Sequence, residues 1–147
     1  MNRLKRWKTA LMLMGVLTLT ACVLIYKFDR MVALVNGNDV AFTLPESDFA
    51  DKEPQFLLND IGVSTKDACD KSCVVWEMVR PVGSNSDLIE ENFVKFPIQY
   101  GVTLPNMQTR VYKELRKGRY TAAASIAMIK DGKVIDSKNV VVGFTIE

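Results

Sequence analysis

The sequence predicts an all-β domain, an antiparallel sandwich of about seven to eight short strands, preceded by an N-terminal signal or anchor helix. After residue 26, apolar and polar residues mostly alternate with a period of two, which is the spacing of a half-buried strand. Turn residues separate these short segments, and no long segment there has apolar residues at helical spacing. With 48% apolar residues, the chain can bury a core.

The first half of the domain contains four predicted strands. Asn36-Gly37 is a turn signal that joins a strand over residues 32–35 to one over residues 40–44. Residues 56–63 form the third strand, after an acidic and polar loop. The fourth strand ends at Pro81 and places three apolar side chains on one face, those of Val74, Trp76 and Met78.

The second half supplies the remaining strands. Residues 94–100 alternate cleanly, and we expect them to form an edge strand because Pro97 lacks a backbone donor. Further strands are predicted over residues 108–115, 120–129 and 140–146, the last two joined by a hairpin turn at Asp131-Gly132.

Two residues favour an immunoglobulin-like version of this sandwich. Trp76 lies in the middle of a strand in the early part of the domain, as the buried tryptophan of such sandwiches does. Tyr120 opens a late strand after residues 115–119, which resembles a tyrosine corner. Both features also occur in other β folds.

The N-terminal segment has the order of a secretory signal. Residues 1–8 are basic, residues 9–19 are apolar, and the apolar run ends in small residues before Cys22. Residues 19–22, Leu-Thr-Ala-Cys, resemble the lipobox of bacterial lipoproteins. The resemblance implies a signal peptide over residues 1–21, a lipidated Cys22 that begins a tether over residues 22–30, and a β-sandwich domain over residues 31–147.

An uncleaved membrane anchor is the alternative. The apolar run continues past Cys22, so that residues 9–26 would form a helix of about 27 Å, against about 30 Å for a bilayer core. In both cases the basic N-terminus stays inside and the domain lies outside the cytoplasm. We therefore expect the domain on the periplasmic side of a bacterial membrane, held there by a lipid or a helix.

The cysteine count is consistent with lipidation. If Cys22 is acylated, Cys69 and Cys73 remain as an even pair in an oxidising compartment, and we expect a disulfide between them. Two free thiols are the alternative. A redox-active pair is disfavoured because three residues separate the cysteines, where the usual motif has two.

The chain lacks the residues that several classes of catalytic and metal site require. The chain has no histidine, which excludes Ser-His-Asp and Cys-His nucleophilic sites, and its 3 cysteines alone do not complete a usual zinc site. There is no Gly-rich phosphate loop and no nucleophile elbow. The sequence therefore predicts no enzyme activity, no metal and no cofactor.

Charge is distributed unevenly along the chain. Residues 22–91 have 6 basic and 13 acidic side chains, net −7, whereas residues 92–147 have 9 basic and 4 acidic, net +5. An acidic loop lies over residues 46–53, and a basic cluster consists of Arg110, Lys113, Arg116, Lys117 and Arg119. Mutual neutralisation of two halves that fold together is the simplest interpretation of this split. The basic cluster is either a solvated strand face and loop, or a surface for an acidic protein partner or a phosphorylated lipid headgroup. Export from the cytoplasm argues against nucleic acid as a partner of the basic cluster.

Several segments together resemble a family of small bacterial envelope lipoproteins, identified as periplasmic immunity proteins of type VI secretion. The matching segments are the lipobox ending at Cys22 and residues 35–45, 76–80, 98–105 and 115–121. The resemblance implies a function in neutralising a toxic effector delivered into the periplasm, by direct binding. A structural or assembly lipoprotein of the envelope is the alternative function, and an enzyme is the third.

Overall fold

The structure is a computed structural model that describes residues 30–45, 54–67, 72–81, 88 and 90–147. Within these ranges the secondary structure is nine strands and one 3-10 helix, Glu90–Asn92. The strands are β1 (Val32–Asn36), β2 (Asp39–Thr43), β3 (Gln55–Thr65), β4 (Cys73–Val79), β5 (Phe93–Val94), β6 (Ile98–Gln99), β7 (Gln108–Tyr112), β8 (Gly118–Lys130) and β9 (Lys133–Ile146). The prediction of an all-β domain is confirmed.

The strands form two antiparallel sheets. The smaller sheet has the order β1-β2-β6, and the larger has the order β7-β4-β3-β8-β9, with the short β5 also paired to β3. Phe42 of the smaller sheet packs against two rings of the larger one, with ring centroids 6.2 Å from Trp76 and 5.7 Å from Phe144. The inner faces of the two sheets therefore share one hydrophobic core.

Side chains at alternate strand positions form this core, as the sequence predicts. On β2, Val40 and Phe42 are fully buried, and on β9 Val140, Phe144 and Ile146 point inward. Their sequence neighbours on β9 are exposed or only partly buried, because successive side chains on a strand point to opposite faces of its sheet. The hairpin predicted at Asp131-Gly132 is present, and it joins β8 to β9.

The strand predicted over residues 94–100 is wrong. The segment forms two short strands in different sheets: Val94 on β5 pairs with Phe56 in the larger sheet, and Ile98 on β6 pairs with Phe42 in the smaller one. Because both sheets face the same core, the alternating pattern continues across the change of sheet. Pro97, which has no backbone donor, lies between the two strands.

Val74 does not share the buried face predicted for it. Trp76 and Met78 are fully buried, but Val74 is 43% exposed and its neighbour Val75 is buried instead. The reason is a bulge: Val63 pairs with Trp76, and the next residue, Ser64, pairs with Val74. The extra residue in β4 reverses the alternation on its N-terminal side.

Several expectations fall on parts of the chain that are not described. Residues 1–29, with Cys22, and the acidic loop over residues 46–53 lie outside the described residues. So does Cys69, whereas Cys73 is the first residue of β4, and their pairing stays a prediction. Among the described residues, no helix has the length and apolarity to span a bilayer.

Candidate functional site

The basic cluster lies at one end of the larger sheet. Arg110 is on β7, and Lys113, Arg116 and Lys117 are in the connection from β7 to β8, which leads to Arg119 on β8. Because β4 and β3 lie between these two strands, the connection crosses three interstrand spacings, about 14 Å, along that end. The structure thus brings most of the predicted basic residues to one end of the sheet, and all five are exposed.

Core contacts hold the basic connection in place. The Lys113 N–H donates to the Val75 carbonyl at 2.8 Å, and the side chain of Leu115 is buried. The Tyr120 hydroxyl donates to the Arg116 carbonyl at 2.7 Å and accepts from the Arg116 N–H at 3.0 Å. These are the hydrogen bonds that a tyrosine corner requires, so Tyr120 has the contact the sequence predicted. The connection is therefore a fixed surface.

Arg119 differs from the other four because it binds within the fold. Its N–H donates to Oδ2 of Asp67 at 2.6 Å, and its Nη2 lies 3.3 Å from Oδ1 of the same carboxylate. These contacts, the backbone hydrogen bond first, lower the pKa of Asp67. Thr65 donates through Oγ1 to the Arg119 carbonyl at 2.7 Å. Arg119 thus joins the ends of β3 and β8, and its charge is balanced internally.

The other four basic side chains make no ion pair with a carboxylate in the part of the chain described here. Arg110, Lys113, Arg116 and Lys117 are all exposed, and only Glu114 adds an acidic residue to the same connection. We call these four residues the basic surface. It is rigidly presented and carries charge that the described fold does not neutralise.

An exposed aromatic ring adjoins the basic surface. Tyr112, the last residue of β7, is 57% exposed and lies directly before Lys113. It ends a row of aromatic contacts that begins in the core: Trp76 to Tyr100 at 5.1 Å between centroids, then Tyr100 to Tyr112 at 6.0 Å. Tyr112 stands next to the basic residues in sequence, but this row could not be identified from the sequence, because Tyr100 follows β6, a strand of the smaller sheet.

A second polar feature lies at the opposite end of β4. The Arg80 guanidinium donates to the Leu58 carbonyl at 3.1 Å and to Asn92, whose Oδ1 also accepts from Asn106 at 2.9 Å. Burial lowers the pKa of Arg80. These residues border a groove of about 670 Å³ with apolar walls that include Phe93 and Met107. Nearly all of the donors of Arg80 serve the fold, so its role here is to tie β3, β4 and the 3-10 helix together.

The carboxylates form no metal site in the described ranges, where no group of three or more candidate ligands comes together. Asp60 and Glu77 lie on neighbouring strands. Partial burial raises the pKa of Asp60, a hydrogen bond from the Ser125 backbone opposes this, and the charge of Glu77 adds a smaller increase. Glu91 lies on the 3-10 helix.

Comparison of the chain with family models, with curated proteins and with solved structures finds no match.

Proposed function

We propose that this chain is an exported, membrane-anchored binding protein that neutralises a secreted toxin by direct contact on the periplasmic side of a bacterial membrane. The observation that carries the proposal is the basic surface, in which Arg110, Lys113, Arg116 and Lys117 have no carboxylate partner among the described residues. A surface whose charge is left unbalanced attracts a partner of opposite charge.

The requirements of such a protein match this geometry. Neutralisation by binding needs no turnover, but it needs a surface that keeps its shape and captures the toxin before damage occurs. Fixed basic side chains speed capture by electrostatic steering, and a preorganised surface loses little conformational entropy on binding. The contacts of Tyr120 and Leu115 support this preorganisation.

Deletion of the gene tests the function. We expect deletion to sensitise cells to sister cells that fire type VI secretion. The exported chain restores resistance, and the same chain without its N-terminal segment, held in the cytoplasm, does not, because it is absent from where the toxin arrives. If deletion leaves cells fully resistant and the chain binds no product of a neighbouring gene, the proposal fails and the envelope-assembly function takes its place.

Charge reversal tests the surface. Changing Arg116 and Lys117 to Glu is expected to slow association with the toxin by about 10-fold or more at low salt and much less at high salt. Lys133→Glu, a reversal in the β8–β9 hairpin, is the matched control and should have little effect. Equal slowing by the control variant would exclude the basic surface as the binding site.

We also infer that the sandwich is immunoglobulin-like. The order β9-β8-β3-β4 has the neighbours of strands G, F, C and C′ of a variable-type domain, and β1-β2-β6 has those of A, B and E. The hydrogen bonds of Tyr120 support this assignment. Two features depart from the pattern: Trp76 lies on β4 instead of β3, and Ala122 stands two residues after Tyr120, where antibody domains have a cysteine. An experimental structure in which β2 and β6 are not neighbours would contradict it.

A further inference from the structure

Among the residues that the structure describes, strand β7 is an edge of the larger sheet. Four of the five residues of Gln108–Tyr112 pair with β4 on one side, all except Arg110, and β7 ends the described strand order on the other. An edge strand presents backbone N–H and C=O groups to solvent and can accept an added strand from another chain. The five residues offer about 16 Å of such edge.

Tyr112 is held in a fixed position at the end of this edge although it is exposed. The Tyr112 ring lies against Gly101, where a Cβ would come within 2.6 Å of the Cε2 atom of Tyr112. Gly101 also has a φ of 78°, which favours glycine. Tyr100 packs beside the ring and donates from its hydroxyl to the Lys113 carbonyl at 2.7 Å. An exposed but immobilised tyrosine is the kind of side chain that anchors protein interfaces, because little rotamer entropy is lost on binding.

The surroundings of Tyr112 combine apolar and basic groups. Val102, which follows Gly101, is 49% exposed. Arg110 and Lys113, two members of the basic surface, flank Tyr112 in sequence. Arg110 is the extra residue of a bulge, since Glu77 pairs with Val111 and Met78 with Thr109. An apolar centre with a basic rim fits an acidic partner.

The opposite edge of the sheet is protected. Strand β9 is longer, at 14 residues. Asp136 and Lys138 form a 3.3 Å ion pair on it, on the same face of the strand as the inward-pointing Val140. Ile135 is an extra residue in a bulge, because Met128 pairs with Asp136 and Ile129 with Val134. Inward charges and bulges are devices that keep edge strands from pairing. Strand β7 has a bulge as well, at Arg110, but among the described residues it has no ion pair of this kind. The β1 strand also lies beside β9.

We infer that the binding surface is centred on Tyr112 and that the partner docks an acidic, extended segment along the β7 edge. Backbone pairing with β7 supplies the register, the fixed ring of Tyr112 supplies the apolar anchor, and Arg110 and Lys113 select acidic side chains. Arg119 lies on β8, which β4 and β3 separate from the β7 edge, and it already pairs with Asp67. This inference rests on the proposed function and adds the position of the contact and the chemistry of the partner segment.

A strand-forming probe peptide tests the inference. The probe is a capped octapeptide of alternating Glu and Val, titrated into the full chain in detergent micelles and followed by backbone amide NMR. We expect shift changes concentrated on Gln108–Tyr112 and weakened by salt, and no binding of the matching Lys-Val peptide. Absence of binding by the Glu-Val peptide, or shift changes centred on β9, would overturn the proposal.

Substitutions at the β7 edge test which side chains hold the peptide. Tyr112→Ala and Arg110→Glu are each expected to weaken peptide binding by about 10-fold or more, as removal of an interface anchor does. The matched controls are Val134→Ala, which truncates a side chain 55% exposed on β9, and Lys133→Glu, and both should bind normally. Equal loss in the controls would overturn the inference.

The sensitivity of cells to sister cells that fire type VI secretion separates the proposed function from the proposed β7 binding surface. If Tyr112→Ala and Arg110→Glu still protect cells as well as the wild type, the β7 surface is wrong while the neutralising function stands. If deletion of the gene has no effect on sensitivity while the peptide binds at β7 as expected, the function is wrong while the binding edge stands.

Discussion

The hydroxyl of Tyr120 satisfies two backbone groups of Arg116, and the ring is 7% exposed. Tyr120→Phe keeps the ring but leaves the Arg116 N–H and C=O without this partner. We expect a loss of about 1 to 3 kcal/mol in the free energy of unfolding, measured by urea melts, because buried unpaired polar groups are costly.

Tyr112→Phe is the matched control at the residue scale. The Tyr112 hydroxyl makes no hydrogen bond with any residue the structure describes, and the side chain is 57% exposed. Its removal should change the free energy of unfolding by less than about 0.5 kcal/mol. Equal losses in the two variants would mean that the hydrogen bonds of Tyr120 do not stabilise the fold.

Asp67 makes a pH-dependent contribution to the free energy of unfolding. The backbone N–H of Arg119, then its side chain, lowers the pKa of Asp67 below its usual 3.8. The contribution is therefore fully present above the unfolded pKa and is lost as pH falls through the lower folded pKa. We expect the stability difference between wild type and Asp67→Asn to be constant above about pH 5 and to shrink below about pH 4. An NMR titration of this carboxyl with a midpoint at or above 3.8 would contradict the prediction.

The pairing of Asp67 with Arg119 is a contact between residues that the sequence could not predict. Five basic residues close in sequence were predicted to act together, and four of them form the basic surface. The fifth, Arg119, binds Asp67, which lies 52 residues earlier in the chain. Local sequence contains no signal for a partner at that separation. Tyr120 could be predicted because its partner Arg116 is only four residues away.

At the scale of elements, period-two alternation located most strands because each inner face is buried against one core. It could not assign strands to sheets, so residues 94–100 looked like one strand and are two. It also could not locate bulges, because a single extra residue changes which face is buried without changing composition, as at Val74. Pairing partners depend on contacts between segments that are distant in sequence.

The β8–β9 hairpin allows a test of turn chemistry. Asp131 and Gly132 have φ values of 51° and 69°, which is the pattern of a type I′ turn. A Cβ at position 132 would meet no heavy atom within 4 Å, so that Gly132→Ala introduces conformational strain without a clash. We expect a loss of about 1 kcal/mol in the free energy of unfolding, measured by thermal or urea melts.

Gly62→Ala is the control for this turn. Gly62 lies inside β3, and a Cβ there would meet its nearest atom, the Trp76 carbonyl oxygen, at an ordinary 3.8 Å. Alanine should therefore be neutral or stabilise by up to about 1 kcal/mol, because it reduces the freedom of the unfolded chain. A destabilisation equal to that of Gly132→Ala would show that the turn conformation is not the cause.

At the scale of the whole molecule, the two oppositely charged halves are interleaved. Strands β3 and β4 of the acidic half lie between β7 and β8 of the basic half in one sheet. Within the described residues, the Asp67–Arg119 ion pair links the halves, whereas Asp136 and Lys138 both belong to the second half. Folding together thus neutralises part of the charge, and the basic surface is the part that stays unbalanced among the described residues.

The proposed N-terminal anchor would decide where the domain acts. Residues 19–22 resemble a lipobox, while the apolar run over residues 9–26 is marginally long enough to span a bilayer, at about 27 Å. If Cys22 is lipidated, Cys22→Ala should abolish incorporation of labelled palmitate and leave an unprocessed precursor that is visible by gel electrophoresis. Cys69→Ala should keep the label, because its thiol lies far from the processing site in sequence. If label persists in Cys22→Ala, or if mass spectrometry finds residues 1–21 on the wild-type protein, the chain is held by an uncleaved helix. We expect the domain to face the periplasm with either anchor, because basic residues before an apolar segment favour the cytoplasmic side.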